Sequence, residues 1–354
     1  MAGTGDIETR VVTKAFWRIL PLLLAAYLAS YLNRVNIGFA SGMMHDLGLT
    51  ATTFGFGAGL FFIGYFVFEI PSNLALTRFG ARRWLARIMF TWGLFSMAMA
   101  LASGVTSFMV LRFLVGVAEA GFFPGVVLYL TTWFPAAWRA RMTAAFMVAI
   151  PVSLALAGPL SNWIMLATKG IWGLKPWQWL FILQGLPTVL LSLAMWIFLP
   201  DHPDEAPFLT GEEKAWLKGK LAEEGRSIRA SHDIAGLKAL MDRRVIALSF
   251  IYFANITTNL GIAFFLPQII KGMGANDVQA NTISAFPFVF GILGVVVFGW
   301  LADRMPANRK NLVVATLAIS AIGLTGAGLL GPTYIAVALI ALANFGIYGL
   351  KGPF

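Results

Sequence analysis

Ten windows of about 20 mostly apolar residues divide this chain, and a helix of that length crosses the hydrocarbon layer of a bilayer. Hydrophobic residues make up 58% of the 354 positions and charged residues only 12%, which exceeds what a soluble core requires. The sequence therefore predicts an all-α polytopic membrane protein. The predicted spans cover residues 16–40, 54–76, 84–103, 107–130, 142–166, 178–199, 245–267, 279–301, 311–330 and 333–354.

The basic residues predict the orientation of these spans. If the N-terminus and every second loop lie in the cytoplasm, 20 of the 26 Lys and Arg residues face the cytoplasm, against three (Lys169, Lys175 and Lys271) on the other side. Cytoplasmic loops are enriched in Lys and Arg, so we expect a multi-pass protein of the inner membrane with a cytoplasmic N-terminus. The net charge of +10 then reflects loops that face anionic lipid, not a nucleic-acid-binding surface.

The sequence lacks the residues that other classes of function require. The chain has no cysteine and only three scattered histidines, which excludes disulfides and leaves no recognisable metal-ligand spacing. No nucleophile–base pair or cluster of His, Asp and Glu falls at membrane depth, which argues against a membrane-embedded enzyme. We therefore expect neither enzymatic activity nor a metal or other cofactor.

The only long polar stretch divides the chain into two parts. We predict a six-helix bundle at 1–200, a cytoplasmic linker at 201–244 and a partial second bundle with four spans at 245–354. Within the linker, LTGEEKAWLKGKLAEEG places apolar residues at helical spacing among charges, which predicts an amphipathic surface helix. We interpret this helix as part of a tether between the two parts.

Two loops indicate an internal repeat. NLALTRFGARR at 73–83 and GWLADRMPANRK at 299–310 align with a shift of 226 residues, which pairs Arg78 with Arg304 and Thr77 with Asp303. Each loop follows the second span of a predicted set of six. Parallel six-span repeats joined by a charged inner linker are typical of transporters built from two bundles.

Charged residues inside the apolar windows are the strongest indication of a functional site, because an ionisable group in hydrocarbon costs several kcal/mol. Arg34 and Arg112 fall at similar depths near the outer ends of the first and fourth spans, and a pair of guanidinium groups suits a carboxylate. Glu119 lies seven residues after Arg112, on the same helix face and about 10 Å along the axis. An apolar environment favours its protonated form and an arginine its ionised form, so Glu119 can carry a proton. The alternative is a polar clamp between helices.

Two other charged residues receive separate interpretations. Glu69, near the inner end of the second span, is at the wrong depth for the arginine pair, and we assign it to an inner gate with Arg78, Asp303 and Arg304. Lys351 lies three residues before the last residue. If the tenth span continues, Lys351 adds a third cation to a substrate cavity; if not, it belongs to a frayed terminus.

Amides supply candidate contacts to hydroxyl groups. Asn255 and Asn259 are four residues apart on one face of the seventh span, and Asn36 follows Arg34 by two positions. These side chains can bind hydroxyls of a substrate or, equally, another helix. Asn33, next to Arg34, cannot exchange a proton.

Several motifs together resemble the major facilitator superfamily and, within it, the anion:cation symporter family, the branch that includes bacterial tartrate permeases. The motifs are YLNRVNIGFA (31–40), GYFVFEIPSNLALTRFGARRW (64–84), RFLVGVAEAGFFPGV (112–126), WFPAAWRAR (133–141), WQWLFILQGLP (177–187) and GIYGLKGPF (346–354). The resemblance implies a twelve-span carrier of two six-helix bundles that moves an organic anion with protons. It also implies that Arg34 and Arg112 bind substrate, that Glu119 couples protons and that Tyr65 faces the cavity.

The chain departs from this resemblance in two respects. Ten spans fit where twelve are expected, so the second bundle looks incomplete and the sequence C-terminally truncated. Relatives commonly have an acidic residue at the position of Asn33, so coupling rests on Glu119 alone or is absent.

These observations combine into one expected function. We expect proton-coupled uptake of a small dicarboxylate or hydroxy acid, tartrate-like, by a monomer in the bilayer. An anion exchanger or uniporter of the same fold, or a fragment that does not transport, are the alternatives.

Overall fold

The computed structural model describes residues 4–40, 42–231 and 242–351, and within these ranges the chain forms helices and no strand. The first part contains α1 (Thr4–Phe39), α2 (Met43–Asp46), α3 (Ala51–Phe79), α4 (Ala81–Ala98), α5 (Val105–Glu119), α6 (Phe122–Thr131), α7 (Ala136–Met147), α8 (Ala149–Ala167) and α9 (Pro176–Phe198). Then follow α10 (Gly211–Ser231), α11 (Arg243–Gly272), α12 (Asp277–Ile283), α13 (Phe286–Arg304), α14 (Arg309–Leu330) and α15 (Tyr334–Gly349).

Nine helical stretches in the described ranges are long and apolar enough to cross a membrane, which agrees with the predicted all-α membrane class. Three of these stretches join consecutive helices, namely Val105–Thr131, Ala136–Ala167 and Asp277–Ala302. The predicted tenth span corresponds to α15, which is apolar but has only 16 residues. The count of ten spans therefore stays a prediction.

The first of two compact units, unit 1, comprises residues 1–34, 40–149 and 164–226. Glycines allow close contact between α3 and α5 in this unit. A Cβ atom added to Gly116 would lie 2.0 Å from the carbonyl oxygen of Phe61, and one on Gly64 would lie 2.7 Å from that of Phe113. Small residues at such crossings let two helix backbones approach. The crossing brings Phe61 against the helix that carries Arg112.

The predicted amphipathic helix of the linker is present as α10 and packs on unit 1. Lys14 Nζ lies 2.8 Å from Glu213 Oε1 near the start of α10. Farther along α10, Glu224 accepts hydrogen bonds from the backbone N–H of Ala136 at 3.0 Å and from Arg139 Nη2 at 2.9 Å. Burial alone would raise the pKa of Glu213, but hydrogen bonds from Lys14 and Thr210 hold it below its ordinary value. The helix is therefore anchored to α1 and α7. A simple tether between two parts of the chain would not require these contacts.

The second compact unit, unit 2, comprises residues 35–39, 150–163 and 227–354. Here α15 packs closely against both α13 and α14. A Cβ atom on Gly294 would lie 2.1 Å from the carbonyl oxygen of Phe345, and one on Gly346 would lie 2.4 Å from that of Thr316. These contacts fix the rotation of α15 about its axis and hence the direction of its polar side chains.

Candidate functional site

An ion pair joins α1 and α5 within unit 1. Arg34 Nη2 donates a hydrogen bond to Glu119 Oε1, and Ser30 Oγ donates to the same oxygen at 2.6 Å. The Arg34 side chain is 12% exposed and that of Glu119 only 1%. Charge-assisted hydrogen bonds of this kind are the strong ones when water is excluded. The sequence singled out both residues but gave no indication that they are direct partners.

A break in the helix follows directly after Glu119. The sequence predicted one continuous span over 107–130, whereas α5 ends at Glu119 and α6 begins at Phe122. Gly121 has a φ of 83°, a left-handed conformation that favours glycine, and a Cβ atom there would lie 2.4 Å from Ser72 Oγ. Glu119 thus lies at the negative end of the α5 dipole, which increases its need for a cation.

One aromatic ring contacts both arginines of the predicted pair. The Cζ atoms of Arg34 and Arg112 lie 5.2 Å and 5.0 Å from the centroid of the Phe61 ring. Arg34 Cζ also lies 4.9 Å from the ring of Tyr31 and 5.4 Å from that of Tyr65. Aromatic faces attract guanidinium groups at these distances. The structure therefore brings Arg34, Arg112 and Tyr65 together. Phe61 and Tyr31 were not predicted, and the only sequence signal for them was their position about one helical turn from Tyr65 and Arg34.

The cluster carries more positive than negative charge. Arg112 is 1% exposed, and its Nε and Nη2 atoms have no hydrogen-bond partner among the described residues. Glu119 Oε2 also lacks a partner there. Glu119 pairs with Arg34, whereas Arg112 forms no ion pair in the described ranges, so the positive charge of Arg112 has no direct partner in this buried environment. Such a charge is costly unless it is paired, so this geometry favours an anionic ligand.

The two predicted inner-gate residues of unit 1, Glu69 and Arg78, form no ion pair with each other in the described ranges. Glu69 is half-buried, and within the described residues its carboxylate forms no ion pair. Arg78 is exposed and likewise forms no ion pair in that part of the chain, while Arg304 Cζ lies 4.0 Å above the ring of Trp300. The side chain of Asp303 lies outside the described part of the structure.

A second polar cluster lies in unit 2, between α11 and α15. Asn255 Nδ2 donates to the carbonyl oxygen of Ile347 at 3.0 Å, and Asn259 Nδ2 donates to the hydroxyl of Tyr348. Lys351 Nζ lies 4.6 Å from the centroid of the Tyr348 ring. Asn259 and Lys351 thus contact Tyr348, while Asn255 bonds to the neighbouring residue Ile347. Tyr348 was not among the predicted residues, although it lies only three positions before Lys351 in the sequence.

The two amides beside Arg34 differ in their surroundings. Asn33 Nδ2 donates to Thr188 Oγ1 at 2.8 Å, and Ser96 Oγ donates to Asn33 Oδ1 at 2.8 Å, so Asn33 joins helices. Asn36 is 1% exposed, and neither its Nδ2 nor its Oδ1 atom has a partner among the described residues. Of the two, Asn36 is the one with hydrogen-bonding capacity left for a ligand.

No group of three or more His, Asp or Glu residues that could hold a metal ion occurs in the described ranges. The clusters consist of guanidinium, amide, phenol and ammonium groups with one carboxylate. Groups of these kinds bind anions and hydroxyl groups in proteins.

Comparisons with known proteins agree with one another. Residues 23–353 match the sequence model of the Major Facilitator Superfamily. Two proteins of Agrobacterium vitis, each named "Putative tartrate transporter", are 44% and 45% identical to the chain; both alignments cover 99% of the chain, and 78% and 80% of the relatives. The partially occluded, inward-open structure of the xylose transporter XylE from E. coli aligns with a TM-score of 0.70 at 18% identity, over 95% of this chain and 85% of that one.

Proposed function

The chain belongs to the major facilitator superfamily and is a multi-pass membrane transporter, and we propose that it moves a small organic anion together with protons. The proposed substrate is a dicarboxylate or hydroxy acid similar to tartrate. The names of the Agrobacterium vitis relatives support this substrate class. The family and fold are those of transporters and not of enzymes.

The uncompensated charge in unit 1 is the observation that carries this proposal. Arg112 is buried without an ion-pair partner among the described residues, while Arg34 shares the only carboxylate of the cluster. A carboxylate of the substrate would accept two parallel hydrogen bonds from the Arg112 guanidinium group. Its binding would neutralise the excess charge.

Charge balance in the same cluster supports coupling to a proton. When Glu119 is protonated, its ion pair with Arg34 is lost and the guanidinium group is free for a second carboxylate. Two carboxylates of a substrate and one proton on Glu119 would leave the cluster neutral. Without the proton, two carboxylates would leave it one negative charge in excess. A dicarboxylate that enters with a proton therefore fits this site better than one that enters alone.

The remaining elements of the proposal concern architecture. We propose that the protein lies in a bacterial inner membrane with its N-terminus in the cytoplasm, because this orientation puts most basic residues on the cytoplasmic side. We assign the two bundles to 1–200 and 245–354 and the linker to 201–244, and we propose that a monomer works by alternating access. Glu69, Arg78, Asp303 and Arg304 stay in the proposal as an inner gate.

One observation favours an exchanger or uniporter as the second candidate. The amide of Asn33 is held by Thr188 and Ser96 and cannot take up a proton, so in the described part of the chain Glu119 is the one acid that forms an ion pair with an arginine of this cluster. If Glu119 serves only to hold Arg34, the transporter would move the anion without a proton.

The test measures uptake of labelled tartrate by the purified protein in proteoliposomes, with and without an inward proton gradient. The gradient should raise the initial rate, and equal rates would exclude proton coupling. Glu119→Gln should abolish the response to the gradient while tartrate counterflow persists. If the response survives in this variant, Glu119 has only a structural role.

The matched variant for the arginine is Arg112→Lys, which keeps the charge but loses the planar fork of donors. We expect KM for tartrate to rise about tenfold, because a bidentate contact becomes a single one. An unchanged KM would argue against direct contact between Arg112 and the substrate.

A further inference from the structure

Two arginines of α4 have no role in the site described above. Arg83 is exposed and Arg87 half-buried, and neither forms an ion pair within the described residues. The Nε atom of Arg87 is buried and has no hydrogen-bond partner there. Arg82 differs, since its backbone N–H donates to Asp201 Oδ1 at 2.7 Å and its Nε lies 3.8 Å from Asp201 Oδ2. Like charges four residues apart on a helix repel each other, so Arg83 and Arg87 together favour a bound anion.

The position of the Arg87 guanidinium group is determined by Trp84. Arg87 Cζ lies 4.1 Å from the centroid of the Trp84 ring, one turn closer to the start of α4. Trp84 Nε1 donates to Ser72 Oγ at 3.1 Å, and its ring stacks on that of Phe79 with centroids 5.5 Å apart. The apolar span Ala81–Leu101 begins six residues before Arg87. Long basic side chains near the end of a span reach back to the membrane surface, and Trp84 holds the guanidinium group in such a position.

An exposed apolar stripe continues from the two arginines along α4. Within Ala81–Ala98, all of which the structure describes, the exposed residues are Arg83, Phe90 and Leu94. Phe90 is 42% exposed and Leu94 is 45% exposed. At about 100° per residue, these three residues and Arg87 fall within a sector of about 60°. The two arginines and the two apolar side chains therefore share one face of the helix.

The length of this face matches one leaflet of a bilayer. Leu94 lies about 16 Å from Arg83 along the helix axis, at about 1.5 Å per residue. This distance is about half of the ~30 Å hydrocarbon layer. A different side of α4 packs against α9, where a Cβ atom on Gly93 would lie 2.8 Å from Val189 Cγ2. The stripe is thus turned away from the contact with α9 and open to lipid.

We propose that Arg83 and Arg87 bind the phosphate group of an anionic phospholipid, whose acyl chain lies along Phe90 and Leu94. Guanidinium groups bind phosphate oxygens through paired, charge-assisted hydrogen bonds. In the orientation proposed above, this end of α4 faces the cytoplasmic leaflet, where anionic lipids attract basic residues. A phospholipid uses both parts of the face, whereas a soluble phosphate would use only the arginines. The inference does not depend on the transported substrate or on proton coupling.

Native mass spectrometry of the purified protein in detergent tests this site. It measures the affinity for phosphatidylglycerol and for phosphatidylcholine, which has the same phosphate and acyl chains but no net charge. We expect the wild type to bind phosphatidylglycerol about 25-fold more tightly, because each arginine contributes a factor of about five. Arg87→Gln should lower this preference about fivefold, and Arg83→Gln/Arg87→Gln should abolish it. Equal affinity of the wild type for both lipids, or an unchanged preference in the double variant, would overturn the inference.

The matched control is Arg141→Gln in α7. Arg141 Cζ lies 5.5 Å from the ring of Trp138, three positions earlier, and forms no ion pair in the described part of the chain. The variant therefore removes the same charge from beside the same kind of ring. Residues 142–148 include no exposed side chain, so no apolar stripe follows Arg141. We expect the preference for phosphatidylglycerol to persist, and a loss equal to that of Arg87→Gln would show that only net charge matters.

Two further measurements complete the test. Glycerol 3-phosphate carries the phosphate without acyl chains and should not displace phosphatidylglycerol at equal concentration; displacement would indicate a site for free phosphate and overturn the lipid assignment. If the glutamine variants fail to fold, thermal unfolding of the wild type decides. Phosphatidylglycerol should raise Tm above its value in phosphatidylcholine, and high salt should reduce the difference. The same Tm in both lipids would overturn the inference.

Discussion

Unit 1 and unit 2 bury polar groups of different kinds. In unit 1 the central polar residues are charged: Arg34 and Glu119 pair with each other, and Arg112 lies beside them without a carboxylate of its own. In unit 2 they are mainly amides, around a tyrosine and a lysine. Charges give strong binding and sensitivity to protons, whereas amides distinguish hydroxyl groups from hydrogen atoms. The comparison supports the proposal that a carboxylate of the substrate binds in unit 1, where a buried guanidinium group has no ion-pair partner among the described residues.

The largest effect is expected from breaking the ion pair of unit 1. Arg34→Leu leaves Glu119 buried with Ser30 as its remaining partner, and we expect the free energy of unfolding to fall by about 3–5 kcal/mol. The double variant Arg34→Leu/Glu119→Leu replaces the pair with apolar groups and should recover most of that loss, but not transport. Thermal unfolding in detergent and tartrate uptake measure the two effects. Equal instability of the single and double variants would mean that charge is not the cause.

A smaller loss is expected where helices cross closely. Gly116→Ala places a methyl group against the backbone of Phe61, which cannot rotate away, and we expect a loss of about 1–3 kcal/mol. Gly294→Ala makes the corresponding change in unit 2, against the backbone of Phe345. Gly59→Ala is the control on α3, since its Cβ atom would meet nothing within 4 Å, and it should be neutral or stabilising. Thermal unfolding of all three variants checks whether Gly116→Ala and Gly294→Ala lower the stability while Gly59→Ala does not.

Two buried asparagines test the difference between an amide that is hydrogen-bonded within the protein and one that is not. Asn33→Leu removes bonded groups and leaves Ser96 and Thr188 unsatisfied, so we expect a loss of about 1–3 kcal/mol with the substrate preference unchanged. Asn344→Leu removes an amide without protein partners in the described structure and should cost less than Asn33→Leu, or even stabilise the protein. Chemical or thermal unfolding of both variants provides the comparison. The reverse order would show that Asn344 is the structural residue.

The smallest effect concerns Asp46, outside the predicted binding residues of both units. Hydrogen bonds from Lys175 and Trp177 hold the pKa of this carboxyl below its ordinary value, against the opposing effect of burial. A lowered pKa stabilises the fold above the unfolded value of about 3.9, and the contribution is lost as the pH falls through the folded value. Asp46→Asn should therefore cost less than about 1 kcal/mol near neutral pH. Unfolding curves at falling pH should converge with those of the wild type, and a constant difference would exclude the charge as the cause.

Local patterns predicted some features well. Apolar windows gave the helical membrane class, and helical spacing gave α10. The cost of charge in hydrocarbon singled out Arg34, Arg112 and Glu119, whose roles in binding and coupling stay a prediction. The break at Gly121 was missed because an apolar sequence does not reveal that glycine adopts a left-handed conformation beside Ser72.

Contacts between distant residues could not be derived from local patterns. Arg34 and Glu119 are 85 positions apart, and Asn259 and Tyr348 are 89 apart. Only the packing of α1 against α5, and of α11 against α15, makes each pair direct partners. For the same reason the expected association of Glu69 with Arg78, which rested on nearness in sequence and depth, does not appear as an ion pair in the described structure.

The residues that anchor α10 lie at positions in the sequence that determine when these contacts can form during protein synthesis. Lys14 and Glu213 are 199 residues apart, and Arg139 and Glu224 are 85 apart, yet all four precede the first residue of α11. Translation is vectorial, so every group that holds α10 exists before the ribosome begins α11. The linker helix can thus fasten the N-terminal helices to one another while the rest of the transporter is still being made.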